Sequence, residues 1–238
     1  HFVPAGYPLD AEAALIVEVE GSEDEIEYLL EKIEDIAQDY NPISTRRSQS
    51  AEESALIWKG RKAAFGAIGQ VSDYMCMDGV IPLSALSAAL EGVSQICRKY
   101  RFDVANIFHA GDGNLHPLVL YDANDPGQLE RVELCGAEIL KLCVELGGCL
   151  TGEHGVGIEK RELMYEQFTD EDIDQQVRIK EELDPAWLLN PGKVFPILGR
   201  DALKLTIDLT RLEAGRGDAT REGELVDEAA YIEGEETL

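Results

Sequence analysis

Basic residues are scarce in this chain. Lys and Arg number 21 against 47 Asp and Glu, giving a formal net charge of -26 over 238 residues. A nucleic-acid binder is expected to present a basic patch, so that class is excluded. A small anionic substrate is not excluded, because one local arginine can reverse the field. Long apolar runs are missing as well. No stretch approaches the ~20 residues that span a bilayer, and no basic start leads into an apolar signal segment. The expectation is a soluble, cytoplasmic protein with no direct membrane insertion. No Cys-x-x-Cys spacing occurs among the five cysteines at 76, 97, 135, 143 and 149. They are expected to be reduced, partly buried thiols. No Gly-x-Gly-x-x-Gly occurs, so the dinucleotide fingerprint is absent. The first residues, His1-Phe2-Val3-Pro4, contain no initiator Met, which points to a piece of a longer protein. What the chain does have is a 45% hydrophobic content, enough for a core in one or two domains.

Histidine is rare too, and its placement is informative. The four histidines stand at 1, 109, 116 and 154. Two of them bracket His109-Ala110-Gly111-Asp112-Gly113-Asn114-Leu115-His116. The flanks, Phe102–Phe108 and Pro117–Tyr121, have strand composition bounded by turn formers. Asp112-Gly113 is a two-residue hairpin signal, since a type I′ turn needs φ > 0 at both central positions. That turn pairs Gly111 with Asn114, Ala110 with Leu115, and His109 with His116. The two imidazoles then face each other with Cβ atoms roughly 5 Å apart, close enough to share one metal ion. The plainer alternative is a glycine-rich hairpin whose histidines bond to backbone.

The third histidine lies in Gly152-Glu153-His154-Gly155-Val156-Gly157, a loop between strand and helix. Glu153 supplies the carboxylate that two histidines lack. His109, His116 and Glu153 make three protein ligands with a position left open, as in catalytic metal sites. His154 cannot easily share the ion with its neighbour and is free to act as a general base, histidine being the side chain whose ordinary pKa lies nearest neutrality. The alternative for this loop is a set of solvated charges.

Around these motifs the pattern predicts a strand at Ala13–Glu20 and a helix capped by Ser22 with Glu25, carrying Ile26, Leu29, Leu30 and Ile33. A short strand is possible at Pro42–Thr45. Ser50 with Glu53 starts a second helix. Strands follow at Asp73–Asp78 and Gly79–Ile81, then a helix over Leu83–Tyr100. Asp125-Pro126 opens a long helix that Gly147-Gly148 stops. Helices near Lys160–Phe168 and over Asp170–Leu183 precede a turn-rich segment, Asp184–Pro196. The fold class expected is α+β, helices over a largely antiparallel sheet. From 201 onward, 11 acidic and 4 basic residues with few aromatics suggest a weakly ordered acidic tail, with one element possible at Leu203–Leu212.

His109–His116, Gly152–Gly157 and the closing Leu189-Asn190-Pro191-Gly192-Lys193 together resemble the C-terminal domain of FAD-linked oxidases related to vanillyl-alcohol oxidase. The resemblance covers about residues 1–196. Trp58–Phe65 and Tyr74–Gly79 are most similar to the glycolate oxidase branch, whose relatives include D-lactate and D-2-hydroxyglutarate dehydrogenases. It implies a ferredoxin-like substrate-binding cap over residues 1–198, a tail over 199–238, and an N-terminal domain outside this chain that holds most of the FAD. It implies hydride transfer from C2 of glycolate or D-lactate to FAD. His109, His116 and Glu153 would bind a divalent metal, zinc foremost. Arg61 would pair with the substrate carboxylate, Asn114 would sit beside the metal and the substrate, His154 would take the hydroxyl proton, and Asn190 and Lys193 would approach the flavin edge. Other subunits of a glycolate oxidase complex would be its partners. Relatives acting on larger dicarboxylic acids have a lysine at the position of Cys76 and a threonine at that of Phe65, which favours a short monocarboxylic substrate here. Two readings compete with this one: a metal-dependent hydrolase using His154, and a non-catalytic assembly module.

Overall fold

The computed structural model describes residues 3–196. The tail expected at 199–238, with its possible element at Leu203–Leu212, lies outside the described residues. The chain divides into two compact units, His1–Tyr74 with Leu120–Asp125, and Met75–Val119 with Pro126 onward.

The first unit is helical. α1 (Glu23–Gln38) starts at the expected capping box, with the backbone N–H and Oγ of Ser22 both donating to Glu25. Glu27 and Glu34 of α1 hold Arg47. α2 (Ala51–Lys62) is capped by Ser50, whose hydroxyl accepts from the Glu53 amide, and α3 (Ala64–Ile68) continues it after a break at Ala63. Two expectations fail here. Ala13–Glu20 and Pro42–Thr45 form no strand. A strand needs a ladder partner for its backbone groups, and no described segment pairs with either. Leu15 and Val17 stand exposed at 76% and 47%, so alternation of side chains alone did not make a sheet.

The second unit carries the core. β1 (Asp73–Cys76), β5 (Pro117–Tyr121) and β3 (Val104–Asn106) form a three-stranded sheet in the order β1-β5-β3, while β2 (Gly79–Val80) pairs antiparallel with β4 (Asn114–Leu115). The α+β class holds, with small antiparallel sheets and much helix. α4 (Leu86–Tyr100), entered through a 3₁₀ turn at Leu83–Ala85, packs on α5 (Pro126–Glu145). Their helical spacing buries Ala89, Val93, Ile96 and Cys97 on α4, and Val132, Cys135, Ile139, Leu140 and Cys143 on α5. Each large apolar side chain so buried contributes about 1.5–3 kcal/mol. α5 stops at Gly147, where φ is +86°. Ile81, Ala89, Leu115 and Cys143 form one cluster beneath the β2–β4 pair. A second cluster joins Met164, Ile173 and Val177 of α6 (Met164–Gln167) and α7 (Asp170–Leu183) to Val156, Trp187 and Phe195. All five cysteines are free, three of them buried.

The hairpin register differs from the one expected. Ala105 faces Leu118 and Asn106 faces Pro117, and the ladder continues with His109 bridged to Asn114. His109 N donates to Asn114 O at 3.0 Å, and Asp112 N donates back to His109 O at 3.1 Å. The loop is therefore four residues, Ala110–Gly113, rather than two. Only Gly113 within it has a positive φ, +71°, so the two-residue type I′ turn is not formed. A four-residue loop needs one such residue, and this sequence supplies one suited to it. The slip is of two residues, and the side-chain period of a strand is two. Both histidines consequently stay on one face.

Candidate active site

Two Gly-rich segments meet in the second unit. β4 presents Asn114, and His116 follows directly after the strand; both are buried. The 3.0 Å bond from Cys149 N to Val80 O ties the second segment to β2 just before the loop starts. The loop then crosses the end of β4. His116 Nε2 lies within hydrogen-bond distance of Glu153 Oε1, at 2.8 Å, and Asn114 Nδ2 donates to the same oxygen at 3.3 Å. The His154 ring stacks on that of His116, with centroids 5.0 Å apart and planes 12° from parallel. His109 lies at the rim. Its ring is edge-on to His116 at 5.6 Å, and its Nε2 is 3.8 Å from Glu153 Oε1. Val80, His109, Asp112, Asn114, Gly152 and Glu153 line an open cleft of ≈ 340 Å³.

Asp78, which the sequence did not single out, sits at the base of this arrangement with no exposed surface. Its Oδ2 accepts from Thr151 Oγ1 at 2.6 Å, Lys160 Nζ at 2.9 Å, Gly152 N at 3.0 Å and His154 N at 3.1 Å. Its Oδ1 accepts from Glu153 N at 3.2 Å. Burial alone would raise its pKa. The hydrogen bonds from Thr151, Lys160 and the loop amides outweigh that and hold the carboxyl well below the usual carboxylate range. Lys160 is itself 5% exposed. The sequence signal was slight: one acidic residue closing the apolar run Tyr74–Met77, with its partner 82 residues away.

Donor atoms of Asp78, His116, Glu153 and His154 lie within 4.8 Å of one another, as do those of Cys76, His116 and His154. Asp78 is already saturated by its donors. Cys76 is a thiol that burial and the Asp78 charge push up to about 11. His116, Glu153 and His154 are left as the convergent groups, with His109 just outside them. Asn114 Oδ1 adds a buried oxygen without a hydrogen-bond partner. Imidazole nitrogens, a carboxylate and an unsatisfied amide oxygen are a donor set that suits a divalent cation such as zinc.

The remaining candidates are placed separately. Arg61 is half-buried on α2 in the first unit, its guanidinium 6.0 Å from the Phe65 ring centroid. Asn190 is exposed with φ +47°, and Lys193 N donates to Asn190 O at 3.4 Å. This closing segment docks on the second Gly-rich loop, since Val194 N donates to Gly157 O at 2.8 Å and Arg161 reaches Gly192 O at 2.7 Å.

Residues 2–194 match the family described as FAD linked oxidases, C-terminal domain. The chain belongs to this family. Among FAD-linked oxidase relatives, it is 48% identical over 202 residues to glycolate oxidase subunit GlcD of Escherichia coli strain K12, covering 84% of this chain and 40% of that protein. It is 34% identical over 207 residues to glycolate oxidase subunit GlcD of Bacillus subtilis, covering 87% and 43%. The mitochondrial D-lactate dehydrogenase [cytochrome] of Kluyveromyces lactis is 26% identical over 183 residues, covering 74% and 31%. The chain thus spans about two-fifths of the two bacterial relatives. Among the described residues no helix is long and apolar enough to cross a membrane.

Proposed function

We propose that this chain is the substrate-binding part of a flavin-dependent 2-hydroxy-acid oxidoreductase that acts on glycolate or D-lactate within a multi-subunit assembly. The observation that carries the reading is the convergence of His116, Glu153, His154 and Asn114, of which Glu153 and Asn114 line the cleft, in a chain of this family. His154 is the base that takes the proton from the substrate hydroxyl. It is exposed, beside the cleft-lining Glu153, and stacking on His116 limits the rotation of its ring. Arg61 anchors the substrate carboxylate through a charge-assisted pair. Asn114 orients the substrate beside Glu153. His109, His116 and Glu153 would hold a divalent cation, zinc foremost, which when bound supplies positive charge that lowers the pKa of the substrate hydroxyl. FAD, held mainly by the rest of the longer protein, supplies the acceptor for the hydride leaving C2, so a 2-oxo acid and reduced flavin result. Asn190 and Lys193 offer the flavin edge a polar, cationic turn. Cys76 provides no cation for a second carboxylate, which favours a monocarboxylic substrate.

Stopped-flow flavin reduction in the full-length enzyme tests these roles. His154→Ala should give a plateau rate lower by about 10²–10⁴-fold, reached at a near-normal glycolate or D-lactate concentration. Arg61→Ala should reach its plateau only at much higher concentration. If His154→Ala reduces flavin at the wild-type plateau rate, the acid–base role belongs to another residue.

A further inference from the structure

The loop that carries Glu153 and His154 has little apolar packing to hold it in place. Gly152, Glu153, His154 and Gly155 are all exposed. Gly155 and Gly157 have φ of +82° and +57°, and a Cβ built on either would meet nothing within 4 Å. The first apolar side chain of the segment is Val156, which joins the Met164 cluster. Apolar packing therefore does little to fix the backbone of 152–154. Hydrogen bonding can. Three consecutive amides, at Gly152, Glu153 and His154, converge on the single carboxylate of Asp78.

We infer that Asp78 is a positioning residue for this loop, its buried carboxylate setting where Glu153 and His154 stand over the cleft. The inference rests on the reading of His154 as base. Three successive N–H groups bound to one anion fix the peptide planes between them, and with them the direction of each Cα–Cβ bond. Thr151 Oγ1 adds a fourth donor from the residue before. Lys160 bridges Asp78 and Thr151 at 2.9 and 3.1 Å. It balances the charge, so the buried carboxylate presents little net field to the imidazoles above. A buried ion pair is a weak contributor to stability compared with apolar packing. Its use here is geometric: it keeps an anion at the one point from which all three amides can be reached. The same saturation keeps Asp78 from serving as a ligand or base itself.

The test uses the full-length flavoenzyme and three variants. His154→Ala is the reference. Asp78→Asn keeps the shape but places an N–H₂ among donors. Thr151→Val removes one donor to the carboxylate, preserves volume and leaves the three amides in place. Flavin reduction is followed over a substrate series, and amide hydrogen exchange over residues 150–158 is measured without substrate. For Asp78→Asn the plateau rate should fall on the order of 10–100-fold, as displacement of a reacting group by about 1 Å does. The half-saturating concentration should stay within about twofold, because no ground-state contact to substrate is removed. Exchange should quicken at 152–154 while α4 and α5 keep their protection. Thr151→Val should shift rate and exchange the same way by a smaller factor, and it decides the matter if Asp78→Asn does not fold. Faster exchange with a wild-type plateau would make Asp78 a structural strut and overturn the inference, as would unchanged exchange. If His154→Ala is slow but both other variants run at the wild-type plateau, only this inference falls. If His154→Ala itself runs at the wild-type plateau, the functional reading falls and this inference with it.

Discussion

Replacing Gly152 by alanine isolates the contact between the two Gly-rich segments. A Cβ at Gly152 would lie 2.5 Å from Asn114 Oδ1 and 2.6 Å from its Cγ. Ordinary contact is ~3.5 Å, so the Asn114 amide must retreat by about 1 Å. It is 7% exposed and bonded to Glu153, which leaves it little room. Overpacking of this kind costs about 1–3 kcal/mol. Gly152 is not among the positive-φ glycines, so backbone strain adds nothing. Gly155→Ala is the matched control. Its φ of +82° imposes about 1–2 kcal/mol of strain, yet its Cβ meets no neighbour within 4 Å. The two variants should lose similar stability by urea unfolding, followed through the fluorescence of Trp187, which adjoins the Met164 cluster. They should differ in function. Gly152→Ala displaces Asn114 and should raise the half-saturating substrate concentration in flavin reduction, whereas Gly155→Ala should leave it near wild type. Identical substrate dependence in the two, or a Gly152→Ala protein as stable as wild type, would refute the steric argument.

Two further outcomes follow from the geometry. His116 is the buried histidine in contact with Glu153, so His116→Ala should retain less zinc than wild type by elemental analysis after identical loading, and equal content in both would remove it as a ligand. Asp184 is 7% exposed and accepts from Lys180 Nζ at 2.6 Å and from the amides of Leu188 and Leu189. The Lys180 bond, then the Leu189 amide, lowers its pKa. A carboxylate depressed on folding stabilises fully above its unfolded pKa of about 3.9, and that contribution is lost as pH falls from there through the folded value. Asp184→Asn should therefore flatten the decline of the urea midpoint as pH falls below about 4; an unchanged slope would show that Asp184 carries none of it.

Helices were the most legible part of the sequence. α1, α2 and α5 begin where Ser22, Ser50 and Pro126 stand, and α7 has the bounds expected for it, because caps and apolar spacing are local signals. Strands were less legible, since the Ala-Ala-Leu-Ile-Val pattern at 13–17 cannot reveal whether a partner ladder exists. The hairpin was found but its turn was miscounted: Asp112-Gly113 fits two loop lengths, and only the ladder distinguishes them. The histidines and Glu153 were readable as rare residue types among glycines. Asp78, Thr151 and Lys160 were not. Their importance comes from burial and from partners more than seventy residues apart, which no local window contains.

The span of that hub has a consequence for synthesis. Chains emerge N-terminus first, and local elements can form as they appear. Asp78 emerges long before its partners at 151–160, and closing a connection of 82 residues is slow compared with winding a helix. Until then Asp78 has neither the ammonium nor the loop amides and must remain hydrated. α4 and α5 can pair first, while the two Gly-rich segments still lie open to solvent. The cleft is thus a late product of folding, and a ribosome-bound chain ending before residue 160 would hold α4 and α5 without the hub at Asp78.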